Sequence, residues 1–257
     1  MYRGFNVFLN TTDKESHELG KKIFNKTSLE IGTTLNEYLS ANGSIDATLM
    51  QKQWFPKINA EVFISHSHKD FDKAISLSGY LQYTFGLTSF VDSCLWEHAN
   101  KLLRMIDDKY CLNYSNSYSY QKRNLSTTHV HLLLSTAIMM MIDQCECLFF
   151  LNTPKSISSN EVISRSKSAW IYSELAISQL VRKKSIQTHR KLFEKGFSKQ
   201  ASLHENYLFP DFEYEVETMH LANLETKDFD NWCKNWDGDE HALDTLYSLK
   251  PLHIVSE

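Results

Sequence analysis

The sequence predicts an α/β fold built on a mostly parallel sheet, and three short apolar segments carry that prediction. They read AEVFIS from Ala60, LTSFVD from Leu87 and CLFFL from Cys147, and each precedes a segment with helical spacing of apolar residues. None of the three shows a polar residue at every second position, which is typical of strands covered by helices on both faces. With 42% hydrophobic residues in 257, the chain can bury one sizeable core.

The first 57 residues are predicted to form a helical N-terminal extension. Two segments with helical spacing fall in this range, separated by an Asn-Gly-Ser sequence that favours a helix end. Ser44 is a candidate N-cap of the second helix, and Pro56 is expected to end it. The remaining residues, 58–257, are predicted to form one domain.

Within that domain the helix after the first strand is expected to end at Gly86. The second strand is followed by a predicted insert at about 97–125, with a helix and a Tyr-rich polar loop. A strongly apolar helix is expected to start at Ser126 or Thr127 and to lead into the third strand. The alternating segment Phe212–Glu217 is a candidate further strand nearer an edge, and two helices are expected to close the domain.

Composition excludes several classes of function. The net charge is -4 and basic residues are dispersed, so we expect no nucleic-acid partner. No apolar segment is long enough for a signal peptide or a membrane span, which favours a cytoplasmic protein without a membrane partner. The five cysteines include one C-x-C pair, Cys145 and Cys147, without a second pair at zinc-like spacing, so we expect free thiols and no metal site.

Polar residues follow each predicted strand where the strand ends. In open α/β sheets, ligands bind outside the carboxyl ends of the strands. The segments that begin at His66, Asp92 and Asn152 are therefore expected to converge on one edge of the sheet. A helix that starts near Ser168 and carries Glu174 begins at the same edge, so Glu174 is a candidate for a shared ligand cleft.

Four motifs in chain order resemble those of TIR (Toll/interleukin-1 receptor) domains, over roughly 61–184 with a weaker similarity to about 249. They are AEVFISHSHKDFDKA, GLTSFVDSCLW, CECLFFLNTP and SAWIYSEL. The sequences of these motifs are most similar to those of bacterial TIR proteins of anti-phage defence, of the Thoeris type. The resemblance implies a flavodoxin-like TIR fold and cleavage of the nicotinamide–ribose bond of NAD+, giving ADP-ribose or a signal derived from it. The insert and the first 57 residues depart from the family pattern.

Glu174 matches the catalytic glutamate of enzymatic TIR domains, in the pattern Ser-x-Trp-x-x-x-Glu-Leu. Loss of nicotinamide builds positive charge on the ribose, which a nearby carboxylate stabilises. Nicotinamide leaves as a neutral molecule, so no second acid is needed to protonate it. The residues alone leave an alternative open, since a solvated glutamate in the first turns of a helix is common and favoured by the helix dipole.

The resemblance also implies substrate-binding residues in the loops around Glu174. For each of them a structural role is the alternative: a solvated turn for the loop after the first strand, a turn or helix cap for Asp92, an anchor for Trp96 and core packing for Trp170. The predicted substrate-binding residues are Ser65, His66, Ser67, His68, Lys69, Asp92, Trp96 and Trp170.

The expected partners also follow from the resemblance. NAD+ is expected as substrate, with no bound cofactor. The chain is expected to form homo-oligomers through TIR–TIR contacts and to act through a downstream effector protein that responds to the nucleotide product. Two other functions remain open: a non-catalytic TIR scaffold that acts by self-association, and an enzyme similar to nucleoside deoxyribosyltransferases.

Overall fold

A computed structural model gives an α/β architecture with a five-stranded, all-parallel sheet flanked by helices. It describes residues 1–9, 13–27, 45–55, 58–113, 117–157, 165–166, 168–190 and 214–251. The sheet strands are β1 (Arg3–Phe8), β2 (Val62–Ser65), β3 (Ser89–Val91), β4 (Cys147–Leu151) and β7 (Ala222–Glu225), in the spatial order β3-β2-β4-β1-β7. A separate antiparallel pair joins β5 (Arg165–Ser166) to β6 (Tyr214–Glu215).

The helices pack in two main groups beside this sheet. They are α1 (Lys14–Thr27), α2 (Ala47–Trp54), α3 (Phe71–Phe85), α4 (Ser93–Tyr110), α5 (Tyr120–Gln144), α6 (Ala169–Leu180), α7 (Ile186–Arg190), α8 (Thr226–Asn235) and α9 (Ala242–Leu249). Helix α1 lies along α3, while α5 packs between α4 and α6. The sheet lies at the centre of the core, since all of β2, β3 and β4 is buried, and apolar residues of the flanking helices pack against it.

The N-terminal segment contains a strand, so the predicted helical extension over 1–57 is wrong in this part. Strand β1 lies inside the sheet, and Phe5 pairs with Phe149 on one side and Ala222 on the other. The segment that follows is helical as expected and forms α1. Arg3 and Asn6 interrupt the apolar pattern of the strand, although both are buried, and this concealed it from a reading based on hydrophobicity.

The strand order is consistent with a flavodoxin-like fold in which the fourth strand of the sheet comes from the N-terminus of the chain. Flavodoxin-like sheets have the order 2-1-3-4-5 along the chain. The observed order matches if β2, β3, β4 and β7 correspond to the first, second, third and fifth strands of a flavodoxin-like sheet. The N-terminal strand β1 then takes the place of the fourth strand. The point where the strand order reverses, which is the preferred ligand crevice of such sheets, then lies between β2 and β4.

The predicted insert at about 97–125 is largely helical. Helix α4 starts at Ser93, directly after β3, and only a short connection separates it from α5. Helix α5 starts at Tyr120 rather than at Ser126 or Thr127, because the Ser119 side chain accepts a hydrogen bond from the Lys122 backbone and caps the helix earlier.

Several predicted boundaries are confirmed. Helix α3 ends at Gly86, whose φ of 67° is the left-handed conformation that glycine adopts readily. Ser168 caps α6, and α8 and α9 close the described chain. Ser44 and Pro56 lie outside the described residues, and Asp46 caps α2. The predicted strand Phe212–Glu217 is described only from Tyr214, as the short strand β6 outside the main sheet.

Helix α5 is the one described helix with the length and apolar composition of a membrane span. Its residues Val130, Leu134 and Ile138 have no solvent exposure, and it packs between two other helices of the domain. A core helix of a soluble domain has the same properties. The described residues therefore show no clear membrane-spanning signal.

Candidate active site

A cavity of about 470 Å³ opens at the carboxyl ends of β2 and β3, beside the first turns of α4 and α6. This volume is in the range of small-molecule sites, and the position follows the general rule for open parallel sheets. Its lining residues are His66, His68, Phe71, Asp92, Ser93, Trp96, Glu97, Asn100, Ser168 and Trp170.

Glu174 is completely buried and is not among the residues that line this cavity. It lies on α6, and its Oε2 accepts a hydrogen bond of 2.5 Å from Ser65 Oγ at the end of β2. The alternative of a solvated helix residue is therefore excluded. The carboxyl group is instead held inside the protein by a strand that ends at the cavity.

Burial raises the pKa of Glu174 well above its ordinary value, because the apolar interior disfavours the ionised form. The nearby negative charge of Asp92 and a hydrogen bond between the two side chains raise it further, while the hydrogen bond from Ser65 acts in the opposite direction. Glu174 and Asp92 thus form a buried carboxyl pair in which a second negative charge is strongly disfavoured. Asp92 is the member of the pair that lines the cavity.

Asp92 also begins a chain of polar contacts along the cavity wall. Its Oδ1 lies 2.6 Å from His66 Nδ1, and His66 Nε2 lies 2.9 Å from Ser93 Oγ. The first is a close contact between the imidazole and the carboxylate, and the second is a hydrogen bond whose donor is set by the imidazole tautomer. His66 is therefore held in one orientation between β2 and the start of α4.

Two tryptophans form an aromatic wall of the cavity. The ring centroids of Trp96 and Trp170 are 4.0 Å apart, and the rings meet edge to face. His131 of α5 also packs edge to face against Trp170, with centroids 5.7 Å apart. Both tryptophans are partly buried. Each packs against the hydrophobic core and also lines the cavity.

The turn after β2 is fixed by Asp70. Its carboxylate accepts a hydrogen bond of 2.5 Å from Thr153 Oγ1 and lies 3.5 Å from Lys155 Nζ. Within this turn, His68 is exposed and lines the cavity. Lys69 is also exposed but does not line it, and its carbonyl accepts a hydrogen bond from Lys155.

The predicted residues therefore divide into three groups. His66, His68, Asp92, Trp96 and Trp170 meet at the cavity. Ser65 and Glu174 form a hydrogen-bonded pair that does not reach its lining. Ser67 and Lys69 contribute to the turn and do not line it.

Sequence reasoning missed part of the cavity on α4. Ser93, Glu97 and Asn100 lie on one face of this helix, with the spacing i, i+4, i+7. That spacing was present in the sequence, but the helix was expected to start only at Glu97, inside an insert. Phe71 and the cap residue Ser168 also line the cavity, and neither was expected to contact a ligand.

Comparison with known protein families, with curated proteins and with solved structures finds no match to this chain.

Proposed function

We propose that this chain is a TIR-domain NAD+ glycohydrolase or ADP-ribosyl cyclase of bacterial anti-phage defence. The observation that carries the proposal is the buried carboxyl pair of Glu174 and Asp92 beside a cavity with an aromatic wall. A buried carboxyl group with a strongly raised pKa beside a cleft, such as Glu174, is often found in catalytic sites. The buried free thiols suit the reducing cytoplasm, where NAD+ is available.

The carboxyl pair suits the charge changes of nicotinamide loss. NAD+ brings a cationic nicotinamide ring, and the transition state moves that positive charge to the ribose. A cation in the cavity favours ionisation of Glu174, because it offsets the burial cost and the repulsion from Asp92. The resulting carboxylate stabilises the ribosyl cation in a site with little water, where electrostatic interactions are strong.

Glu174 is buried and does not line the cavity, so it contacts the substrate only if the cavity opens toward it. Trp170 lies one turn before Glu174 on α6 and packs against Trp96 of α4. In the proposed reaction the nicotinamide ribose separates these two rings and reaches the carboxyl pair. Asp92, which already lines the cavity, lies beside the ribose and is held in place by His66.

Glu174→Gln tests the proposal. Glutamine keeps the size of the side chain and an acceptor for Ser65 but cannot carry the charge, so we expect nicotinamide release to fall by at least about 100-fold, as for loss of an electrostatic stabiliser. The measurement is chromatographic release of nicotinamide from NAD+. Glu18→Gln, at an exposed position of α1, is the matched control and should leave the rate unchanged.

An equal rate in the Glu174→Gln variant and the wild type would refute the catalytic role. Mass spectrometry of the wild-type product assigns the reaction, since hydrolysis adds water and gives ADP-ribose, whereas cyclisation adds none and gives a product lighter than ADP-ribose by one water.

The second candidate function is a non-catalytic TIR scaffold that acts by self-association, and one observation favours it. Leu125, Leu132 and Met139 are exposed on α5 at intervals of seven residues. Such a row of apolar side chains on one helix face is typical of helix–helix contacts. A stable oligomer that is dispersed by Leu132→Lys, in a protein that releases no nicotinamide, would support the scaffold over the enzyme.

A further inference from the structure

A second cavity, of about 700 Å³, is lined by residues of β1 and β7 and of the segments next to β4 and β7, on the side of the sheet away from β3. Every residue in its lining is uncharged. They are Asn6, Phe8, Asn152, Thr153, Pro154, Ile157, Thr218, Met219, Leu221 and Asn223. A neutral lining does not suit a phosphate or carboxylate, which needs cationic or multiple N–H partners. The part of a ligand that enters here is therefore uncharged.

Three asparagine side chains form a hydrogen-bonded row across the floor of this cavity. Asn152 Nδ2 donates to Asn6 Oδ1 at 3.0 Å, and Asn6 Nδ2 donates to Asn223 Oδ1 at 3.2 Å. Asn6 is 5% exposed and sits in the internal strand β1, where an unpaired amide would be costly. Its two neighbours fix its orientation, and Asn6 in turn anchors both of them.

The two ends of this row face the cavity with opposite polarity. The Asn152 carbonyl oxygen is an acceptor and the Asn223 amide nitrogen is a donor, and within the described residues neither makes a further hydrogen bond. A carboxamide pairs well with the edge of adenine, whose amino group donates and whose N7 accepts. Asn223 is exposed, so its carboxamide is accessible to such an edge.

Apolar side chains beside the amides suit the faces of a planar base. Met219 is 98% exposed and Phe8 is 37% exposed, and both line the cavity. Aromatic rings stack on heterocycles, and a methionine sulfur makes favourable contacts with an aromatic ring. Exposed apolar groups that flank polar hydrogen-bonding groups are the usual composition of a site for a small planar ligand.

The two cavities are joined through one turn. Thr153 lines the second cavity and donates to Asp70, which follows His68 of the first cavity by two residues. Lys69 and Lys155 lie on this turn and beside it, with exposed side chains. A dinucleotide in an open parallel sheet binds across the point where the strand order reverses, which here separates the two cavities.

We propose that the second cavity is the adenosine subsite of a dinucleotide whose nicotinamide ribose enters the first cavity. Asn223 reads the base edge, Phe8 and Met219 pack on the base, and the pyrophosphate lies over Lys69 and Lys155. This inference rests on the proposed function for the identity of the dinucleotide. The recognition of adenine itself does not depend on catalysis.

Calorimetric titration with AMP tests the subsite directly. We expect wild type to bind AMP at least about tenfold more tightly than UMP, because the single ring of uracil has less area to pack against Phe8 and Met219 than the two rings of adenine. Asn223→Asp replaces the donor by a second acceptor of similar size and should weaken AMP binding by at least about tenfold. Asn124→Asp, at an exposed position of α5 outside both cavities, is the matched control and should bind AMP as wild type does. A thermal melt establishes that each variant is folded.

The outcomes separate this inference from the proposed function. If Asn223→Asp binds AMP as well as wild type does, or if UMP binds as tightly as AMP, the subsite is refuted even when nicotinamide is released. If AMP binds as expected and NAD+ is not cleaved, the proposed function is refuted and the adenine site stands. If the adenosine subsite and the proposed function are both correct, Asn223→Asp raises KM for NAD+ by about tenfold with little change in kcat. The reason is that the contact of Asn223 with adenine is equally strong in the ground state and the transition state.

Discussion

A carboxyl group without solvent exposure, such as that of Glu174, is neutral unless a compensating charge lies nearby. Asp92 makes the ionised form still less favourable. This arrangement is costly for the folded protein at neutral pH, and no apolar packing requirement explains it. Functional sites often retain such locally unfavourable groups, because the same property that lowers stability prepares the group for a charged substrate.

The raised pKa of Glu174 makes a prediction for stability against pH. The folded protein binds this proton more tightly than the unfolded chain, whose glutamate titrates near 4.5. Stability from this group is therefore complete below pH 4.5 and is lost as pH rises toward the folded-state pKa, by about 1.4 kcal/mol per pKa unit of the shift. Glu174→Gln lacks this loss, so its melting temperature should rise relative to wild type between pH 4.5 and 8, in a series of thermal melts.

The exposed substitution Glu18→Gln is the control for this experiment as well, and its melting temperature should follow wild type at every pH. A constant difference between Glu174→Gln and wild type across the range would show that Glu174 titrates normally in the folded protein.

The sequence left open whether Glu174 is solvated or buried, and the structure shows that it is buried. Ile171, Glu174, Leu175 and Ser178 have the spacing i, i+3, i+4, i+7 and are all buried on one face of α6. The spacing agrees with burial, but it did not decide the matter, because a solvated glutamate in the first turns of a helix is common. Helical spacing also does not show that Asp92, which lies between β3 and α4, is beside Glu174, because that contact depends on the order of the strands in the sheet.

At the scale of elements, α1 and α3 approach each other closely enough for their backbones to touch. A Cβ atom at Gly79 would lie 1.8 Å from the Ser16 carbonyl oxygen, and one at Gly20 would lie 1.9 Å from the Ile75 carbonyl oxygen. Glycine is required at both positions because only a hydrogen atom fits between the helices. This contact fixes α1, and with it the adjacent strand β1, against the rest of the domain.

Gly79→Ala should destabilise the protein, since α1 and α3 must separate to admit one methyl group. We expect a loss of about 3 kcal/mol or more in the free energy of unfolding, measured by urea denaturation, at the upper end of the usual cost of overpacking. The sign of this change distinguishes the two explanations, because replacing glycine by alanine in a solvated helix would increase stability by about 1 kcal/mol. Tyr83→Ala, at a 76% exposed position of the same helix, is the control and should change stability by about 0.5 kcal/mol or less.

The elements differ in how far the sequence predicts them. Strands β2, β3 and β4 were predicted because each lies in a short, mainly apolar segment that precedes a segment with helical spacing. Strand β1 was not, because Arg3 and Asn6 occupy buried positions that a strand usually gives to apolar residues. Arg3 is accommodated by donating to the Pro251 carbonyl and Asn6 by the two neighbouring asparagines, and these partners are more than 140 residues away along the chain.

At the scale of the whole molecule, β1 decides whether the chain is one folding unit or a domain with an appendage. Deletion of residues 1–57 removes the strand between β4 and β7 and leaves facing edges on both. We therefore expect the 58–257 fragment to lack a cooperative thermal transition and to aggregate, as judged by circular dichroism and size-exclusion chromatography. A dispensable extension would leave a soluble fragment with the melting temperature of the full chain.

Point substitutions in β1 separate the loss of this strand from the general effect of a long deletion. Phe5 is fully buried against Phe149 and Tyr247, whereas Phe8, three residues later, is 37% exposed at the end of the strand. Phe5→Ala should cost about 3–5 kcal/mol of unfolding free energy because it leaves a cavity in the core. Phe8→Ala removes the same group from a surface position and should cost well under half as much. Equal costs at the two positions would mean that β1 does not pack inside the sheet, and the flavodoxin-like order with an N-terminal fourth strand would then be refuted.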